Sequence, residues 1–438
     1  MIRTHRRNAI SQLAVVGIIV VIIIAAAGAY EVGTIGKGSP TTYTVTTTGP
    51  AITSTITTTN QGVVQTITTT LPGSTSVVTT TGTTSVTKTT TVTTSATGLP
   101  AVTLNGAGGT LINPLMQLWT YAFGQANPGV EINYASVGSG AGISQITAGT
   151  VNFGESDAPL TSAQYAALPA TLDTIPISAS AVVPAYNLPG IGNGLNFTGA
   201  ILAQIFLGNI TMWNDPALQA INPNVTLPNH AIVVVHRSDS SGTMFAFTDY
   251  LSQSSTQWAT QVGKGTAVNW PVGLGGKGNE GVAGVIEGNQ YSLGPLEIAY
   301  EILNSGLISY GAVQNAAGNY ILANLTNISD ALAAAGSTAL PAGSGVWTNV
   351  SVIDSIFTNS TATDAYPITT MTYALAYQQQ TSQANGLVLV NFLEWIVTTG
   401  QSAGAKYGYA ALPSNIVALD NTTIRSITYN GQPLYTGP

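Results

Sequence analysis

The rhythm of hydrophobic and polar positions changes twice along the chain, and each change marks a boundary. From Leu13 to Tyr30 apolar and small residues run without a charge, behind Arg3, His5, Arg6 and Arg7. Such a run nearly spans a bilayer, given modest thinning or help from its flanks, and the basic flank predicts a cytoplasmic N-terminus. From Thr41 to about Thr97 the polar positions are mostly Thr, interleaved with Val and Ile, and Lys88 is the only charge. That tract is too poor in large apolar side chains to build a core, and β-branching favours extended backbone. It reads as a stalk able to reach about 190 Å at ~3.3 Å per residue, with a small Thr-rich β-module as the alternative.

From about Pro100 onward, strand-like and helix-like periods alternate. Asn105 to Thr110 predicts a Gly-rich turn, and Leu111, Leu115, Leu118, Trp119 and Phe123 recur at helical spacing. Asn133–Val137 reads as a strand closed by the turn Gly138-Ser139-Gly140, and Ile143–Ala148 as a short helix. Val151–Phe153 is a strand running into Gly154-Glu155-Ser156-Asp157, and Val233–Val235 precede the helical pattern Met244–Leu251. Alternation of this kind predicts α/β layers. The chain therefore divides into an apolar segment (1–38), a Thr-rich segment (39–99) and a globular body from 100 to 438.

Composition narrows the class. Charged residues make up only 6% of the 438 residues and the net charge is −7, which argues against a nucleic-acid partner. Cysteine is absent, so disulfides, Cys-based metal sites and a lipid anchor on an N-terminal Cys are excluded. His5, His230 and His236 have no neighbours at ligand spacing, and neither metal nor cofactor is expected. A surface of uncharged polar groups changes little as carboxylates are protonated. It predicts an extracellular protein, with exposure to acid and compositional drift under glycosylation as competing explanations. Sequons at Asn196, Asn209, Asn224, Asn324, Asn327, Asn349, Asn359 and Asn421, and the hydroxyls of the Thr-rich tract, suggest glycans as partners.

The candidate chemistry lies in four turns: Gly108-Gly109-Thr110-Leu111, Gly138-Ser139-Gly140, Glu155-Ser156-Asp157, and Arg237 through Thr243. The last is the most pointed, because a β-branched run ends in an Arg and a Ser-Gly-Thr opens a helix. One guanidinium, two hydroxyls and free N–H groups at a helix start collect an oxyanion. Between Ala101 and Pro438 the only Lys or Arg residues are Arg237, Lys264, Lys277, Lys406 and Arg425. For Asp157 the competing reading is a cap for the helix after Pro159. Gly273-Leu-Gly-Gly-Lys-Gly278 meets the spacing of a dinucleotide loop but lacks the long strand and acidic partner that loop requires. His236, Asp239 and Ser241 supply the residue types of a triad, yet their spacing on one strand-to-turn prevents alignment. Trp119, Trp213, Trp258, Trp270, Trp347 and Trp395 are scattered, as core residues are.

The body, from about Val102 to Ala418, closely resembles the phosphate-binding component of bacterial and archaeal phosphate ABC transporters. The matching phrases are Asn105-Gly-Ala-Gly-Gly-Thr110, Val151-Asn-Phe-Gly-Glu-Ser-Asp157-Ala-Pro159, Leu207-Gly-Asn-Ile-Thr-Met-Trp213 and Arg237-Ser-Asp-Ser-Ser-Gly-Thr243. Trp270-Pro-Val-Gly-Leu-Gly-Gly-Lys-Gly-Asn279, Ala365-Tyr-Pro-Ile-Thr369 and Tyr409-Ala-Ala-Leu-Pro413 complete the series in family order. The resemblance implies a hinged, two-lobed type II periplasmic-binding-protein fold, α/β in class. Lobe one would comprise 100–180 and 371–438, and lobe two 181–370.

It also implies an extracellular binding protein that passes inorganic phosphate to ABC permease subunits and is not an enzyme. The phosphate would lie between the lobes on Thr110, Leu111, Ser139, Asp157, Arg237, Ser241, Gly242 and Thr243, with Asp239 holding Arg237. Leu111 stands where the family usually has Phe, and His236 where many relatives have a further Arg. Asp157 would reject an oxyanion that has no proton to donate. The Gly273–Gly278 segment would be a structural turn near the cleft. Arg7-Asn8-Ala9-Ile10-Ser11 resembles archaeal pilin-type signals, whose cleavage would leave the apolar run as a tether. The rival functional readings are a surface filament reusing the binding fold and a phosphatase-like surface protein.

Overall fold

A computed structural model of the chain describes four strands between residues 41 and 81, and residues 98–336 and 340–435. The proposed apolar segment (1–38) lies outside the described residues. Two compact units result, Met1–Gly98 and Leu99–Pro438.

In the first unit, β1 (Thr41–Thr46), β2 (Thr53–Thr58), β3 (Val64–Leu71) and β4 (Ser74–Thr81) form an antiparallel meander. Its register aligns Tyr43, Ile56, Ile67 and Val78 in one cross-strand row. The Thr-rich segment thus contains a small antiparallel β-module.

The second unit is built on one mixed sheet. Its strands are β5 (Val102–Gly108), β6 (Val130–Ser136), β7 (Phe153–Ser156), β8 (Leu172–Asn187), β9 (Val233–Arg237), β10 (Leu274–Gly276), β11 (Ser292–Glu297), β12 (Ser309–Tyr310) and β13 (Thr369–Tyr377). The order is β10-β9-β11-β8-β13-β7-β5-β6, with β12 also on β8. β8 pairs with β13 over its first part and with β11 over its last. All but its final residue are buried, as expected for a strand covered on both faces.

Two large hydrophobic cores lie along this sheet. One gathers Leu104, Trp119, Phe153, Ile175, Ile177, Ala374, Phe392 and Ile424. The other gathers Ala181, Tyr186, Phe206, Trp213, Phe247, Trp258, Leu293 and Tyr366. β8 and β13 pass side by side from one core to the other, β8 between Ile177 and Ala179 and β13 between Tyr373 and Ala374. Ala410, Leu412 and Ile416 pack in the second core although both their chain neighbours in sequence, Tyr409 and Ile424, pack in the first.

Local elements follow the sequence with small displacements. Helix α1 (Asn113–Ala126) carries Pro114 in its first turn and buries Leu115, Met116, Trp119 and Phe123 on one face. Asn105–Gly108, expected to turn, continue β5 instead, because their backbone ladders with both β6 and β7. Ser139, expected in a turn, is the first residue of α2 (Ser139–Thr147), and Gly138 at φ +92° makes the bend. Helix α3 (Ser162–Ala166) follows Pro159. Helix α4 (Gly242–Ser254) extends the predicted helix by two residues at its start and three at its end, and Ser241 caps it. Gly278 opens helix α5 (Gly278–Gly288) directly after the edge strand β10. Trp119, Trp213, Trp258 and Trp347 are fully buried.

Candidate anion-binding site

The four turns singled out in the sequence meet where β5, β7 and β9 end and α2, α4 and α5 begin. Arg237, the last residue of β9, is 2% exposed. Its Nε donates to Asp239 Oδ1 at 2.7 Å and its Nη2 to Asp239 Oδ2 at 2.6 Å, a bidentate pair. Nη1 donates to Thr110 Oγ1 at 3.0 Å, across from the other core. Three of the five guanidinium N–H bonds are thereby directed, and two remain for a ligand. Burial works to raise the Asp239 carboxyl, but the hydrogen bonds and charge of Arg237 outweigh it and hold the group below its ordinary range.

Thr110 sits in the turn between β5 and α1. Its Oγ1 also accepts from Asn279 N at 3.0 Å and Asn279 Nδ2 at 2.9 Å. A hydroxyl oxygen that accepts this often leaves its own O–H to point elsewhere. The peptide planes of the turn are fixed by two buried tyrosines: Tyr300 donates to the Thr110 carbonyl and Tyr409 to the Leu111 carbonyl, both at 2.6 Å. Leu111 itself is fully buried.

Ser139 joins three segments. Its hydroxyl donates to Asp157 Oδ2 at 3.1 Å and accepts from Gly242 N at 3.1 Å and Asp157 N at 3.2 Å. Ser241 Oγ accepts from Met244 N, and Asn279 Nδ2 donates to Thr243 Oγ1 at 3.1 Å. With Gly242 N and Met244 N engaged, the Thr243 N–H is the remaining donor of that first helical turn. The approach is close enough to demand glycine at two positions. A Cβ on Gly109 would lie 2.4 Å from Asp157 Oδ2, and one on Gly242 would lie 2.5 Å from Asp157 Cβ.

Asp157 is 1% exposed, and its Oδ1 is a buried acceptor with no hydrogen-bond partner. Burial, then the charge of Glu155, raises its proton affinity well above the ordinary carboxylate range. The capping alternative for Asp157 does not hold, because Thr161 caps α3 in a reciprocal box with Gln164. His236 stacks on Trp270 with centroids 4.9 Å apart, and its Nδ1 lies 3.0 Å from the Arg237 carbonyl oxygen. With Asp239 bound to Arg237, the three residue types of a triad are not aligned.

All nine residues expected at the site thus lie in one cluster. Sequence reasoning assigned no role to Glu155, Asn279, Tyr134, Tyr300 or Tyr409, all of which hold it together. Asn279 stood inside a recognised phrase, and the helix start at Gly278 was the signal available. Glu155 stood one residue from Ser156 in a flagged turn, with only its charge to mark it.

Residues 41–399 match the model of the PBP superfamily domain. Among curated proteins, the chain is 41% identical over 324 residues to the phosphate-binding protein PstS of Xylella fastidiosa, covering 74% of this chain and 85% of that one. It is 37% identical over 324 residues to PstS of Haemophilus influenzae, covering 73% and 91%. Among solved structures, it resembles a high-affinity periplasmic phosphate-binding protein bound with phosphate, with a TM-score of 0.57, 19% identity, and coverage of 76% of this chain and 99% of that one. That last likeness shows the α/β periplasmic-binding-protein fold.

Proposed function

The chain belongs to the PstS family of phosphate-binding proteins within the PBP superfamily, and from that premise we propose that its cleft binds inorganic phosphate outside the cell and delivers it to an ABC permease. The observation that carries the reading is the convergence of Arg237, Thr110, Ser139 and the start of α4 around the unpartnered Asp157 Oδ1. Donors surround a site that also offers one acceptor. A ligand with several anionic oxygens and one proton satisfies both, as mono- or dibasic phosphate does. Sulfate near neutral pH has no proton to give, and an acceptor facing an acceptor is a costly mismatch.

In this reading Leu111 and Thr243 contribute N–H groups, and Ser241 and Gly242 shape the helix start. The lobes are 100–180 with 371–438, and 181–370, closing about β8 and β13. The protein acts as a binding component and not as an enzyme. The apolar run 13–30 tethers it to the outer face of the membrane; among the described residues no helix is long and apolar enough to cross one. The relatives carry the name of a binding protein, which favours this reading over a filament or a phosphatase-like protein.

Isothermal titration of the full chain with phosphate and with sulfate at neutral pH tests it. Tight phosphate binding and far weaker sulfate binding are expected. Equal affinities, or no phosphate binding, would overturn it.

A further inference from the structure

Glu155 is fully buried near Asp157, the third of the four residues of β7. Three of its hydrogen-bonding neighbours are donors. Gly109 N and the Tyr134 hydroxyl (2.8 Å) donate to Oε2, and the Thr372 hydroxyl donates to Oε1 at 2.6 Å. Asp157 has the Ser139 hydroxyl on Oδ2, a hydrogen bond with the Glu155 carboxyl that raises its own proton affinity and lowers that of Glu155, and nothing on Oδ1. Both carboxylates crowd the same point, since a Cβ on Gly109 would meet Asp157 Oδ2 at 2.4 Å and Glu155 Oε2 at 2.8 Å. Two adjoining carboxylates in a water-poor pocket do not both ionise readily.

We propose that Glu155 is a positioning residue for ligand selectivity: with Asp157 it forms a buried carboxyl pair that shares one proton below a common midpoint, Glu155 being the member held as the anion and Asp157 the member that takes the proton, so that the cleft meets an acceptor above that midpoint and a protonated Asp157 below it. The donor pattern assigns the roles, because a carboxylate that accepts three hydrogen bonds is stabilised as the anion. Directions agree: burial, opposed by those hydrogen bonds, raises the Glu155 carboxyl, and burial followed by the Glu155 charge raises Asp157 further.

The other titratable groups facing the pair are Arg237 from β9, Tyr134 from β6, Tyr373 from β13 and Tyr409. Arg237 opposes the rise. The three tyrosines are themselves raised, burial being the first cause in each, so they stay neutral through the working pH range.

This inference rests on the phosphate reading and deepens it. Without Glu155, burial alone would raise Asp157, but by less. The pair instead keeps a proton at higher pH, and the cleft then tolerates a fully deprotonated oxyanion as pH falls through that range. Selectivity for phosphate over sulfate therefore becomes a function of pH, with a midpoint set by Glu155.

Two measurements on the full-length protein test this. Infrared difference spectra against pH follow the protonated-carboxyl band that is missing from Asp157→Asn. Competition titrations of phosphate with sulfate follow selectivity over the same pH series. Glu155→Gln keeps an acceptor for Gly109 N and Tyr134 and a donor for the Thr372 oxygen, but removes the charge. It should lower both midpoints by about one pH unit or more. Thr372→Val removes a donor to Glu155 while keeping both carboxyls, and should shrink the Asp157 band as the shared proton moves toward Glu155. A band and a selectivity curve unmoved by either variant would overturn the proposal. So would an affinity loss shared equally by both ions with no shift in midpoint, which marks a merely structural role. If the wild type bound no phosphate, the functional reading would fail, and the infrared midpoints would still decide whether the pair shares a proton.

Discussion

Single atoms decide how the cleft treats an anion. Arg237 combines three directed hydrogen bonds with a position at the meeting of two cores, so its charge is not its only contribution. Lys would keep the charge and lose both the bidentate grip on Asp239 and the reach to Thr110. Arg237→Ala should weaken phosphate binding by about 2–5 kcal/mol, and Arg237→Lys by more than about tenfold, in calorimetric titration. Wild-type affinity in the Lys variant would show that a point charge suffices. Asn279 is the complementary case. It donates to Thr110 and Thr243, and its Oδ1 accepts from Glu297 N. Asn279→Ala strands those buried partners and should cost about 1–3 kcal/mol in denaturant unfolding. A loss confined to phosphate affinity, with stability unchanged, would place Asn279 among ligand contacts instead.

At the scale of elements, the site is made of chain reversals, and one reversal is stringent. Gly138 has φ +92°, and a Cβ there would stand 2.7 Å from Asp239 Oδ2 and from the Ser240 carbonyl oxygen. Gly138→Ala should displace Ser139 and with it the junction between Asp157 and Gly242 N. Weaker phosphate binding and a lower melting temperature are expected together; an unchanged variant would mean that the loop relaxes without moving α2. These reversals were legible in the sequence because Gly, Ser and Thr next to apolar runs state where a strand stops and a helix starts. Arg237 was legible because cations are so rare in the body, and its partner Asp239 through the family resemblance of the phrase Arg237–Thr243. Less legible was how far the strands extend. Asn105–Gly108 read as a turn by composition, and ladder bonds to two neighbouring strands overrode that preference. The tyrosine braces could not be read either: Tyr300 and Tyr409 lie 190 and 298 positions from the carbonyls they hold, and no local pattern encodes so distant a contact.

For the whole molecule, low charge and buried carboxyls act in the same direction. Among the described residues, ion pairs join Arg237 to Asp239 and Lys264 to Asp249 and Asp354, so few carboxylates depend on cations. Asp173 and Asp420 are instead fully buried, with neither oxygen hydrogen-bonded. Burial pushes Asp173 up to about 7 and Asp420 well above the ordinary range, and it pushes Glu297 up to about 8 against its hydrogen bonds. A carboxyl whose folded pKa is raised binds protons more tightly in the native state. Its stabilising contribution is complete below the unfolded value near 4 and is lost as pH rises through the folded one. For Asp173 that window runs from near 4 to about 7, and the loss across it is at most roughly 4 kcal/mol. Asp239 acts oppositely, but only at the acid limit: its pKa is lowered, so its contribution fades below the ordinary carboxylate range. Stability should therefore peak in mild acid and decline toward alkali, the reverse of a protein held by surface ion pairs. Calorimetric melting between about pH 4 and 8 should show a falling midpoint, and Asp173→Asn should flatten the slope over the lower part of that range. A midpoint that rises with pH would mean that water reaches these carboxyls in the native state and that they ionise as exposed groups do.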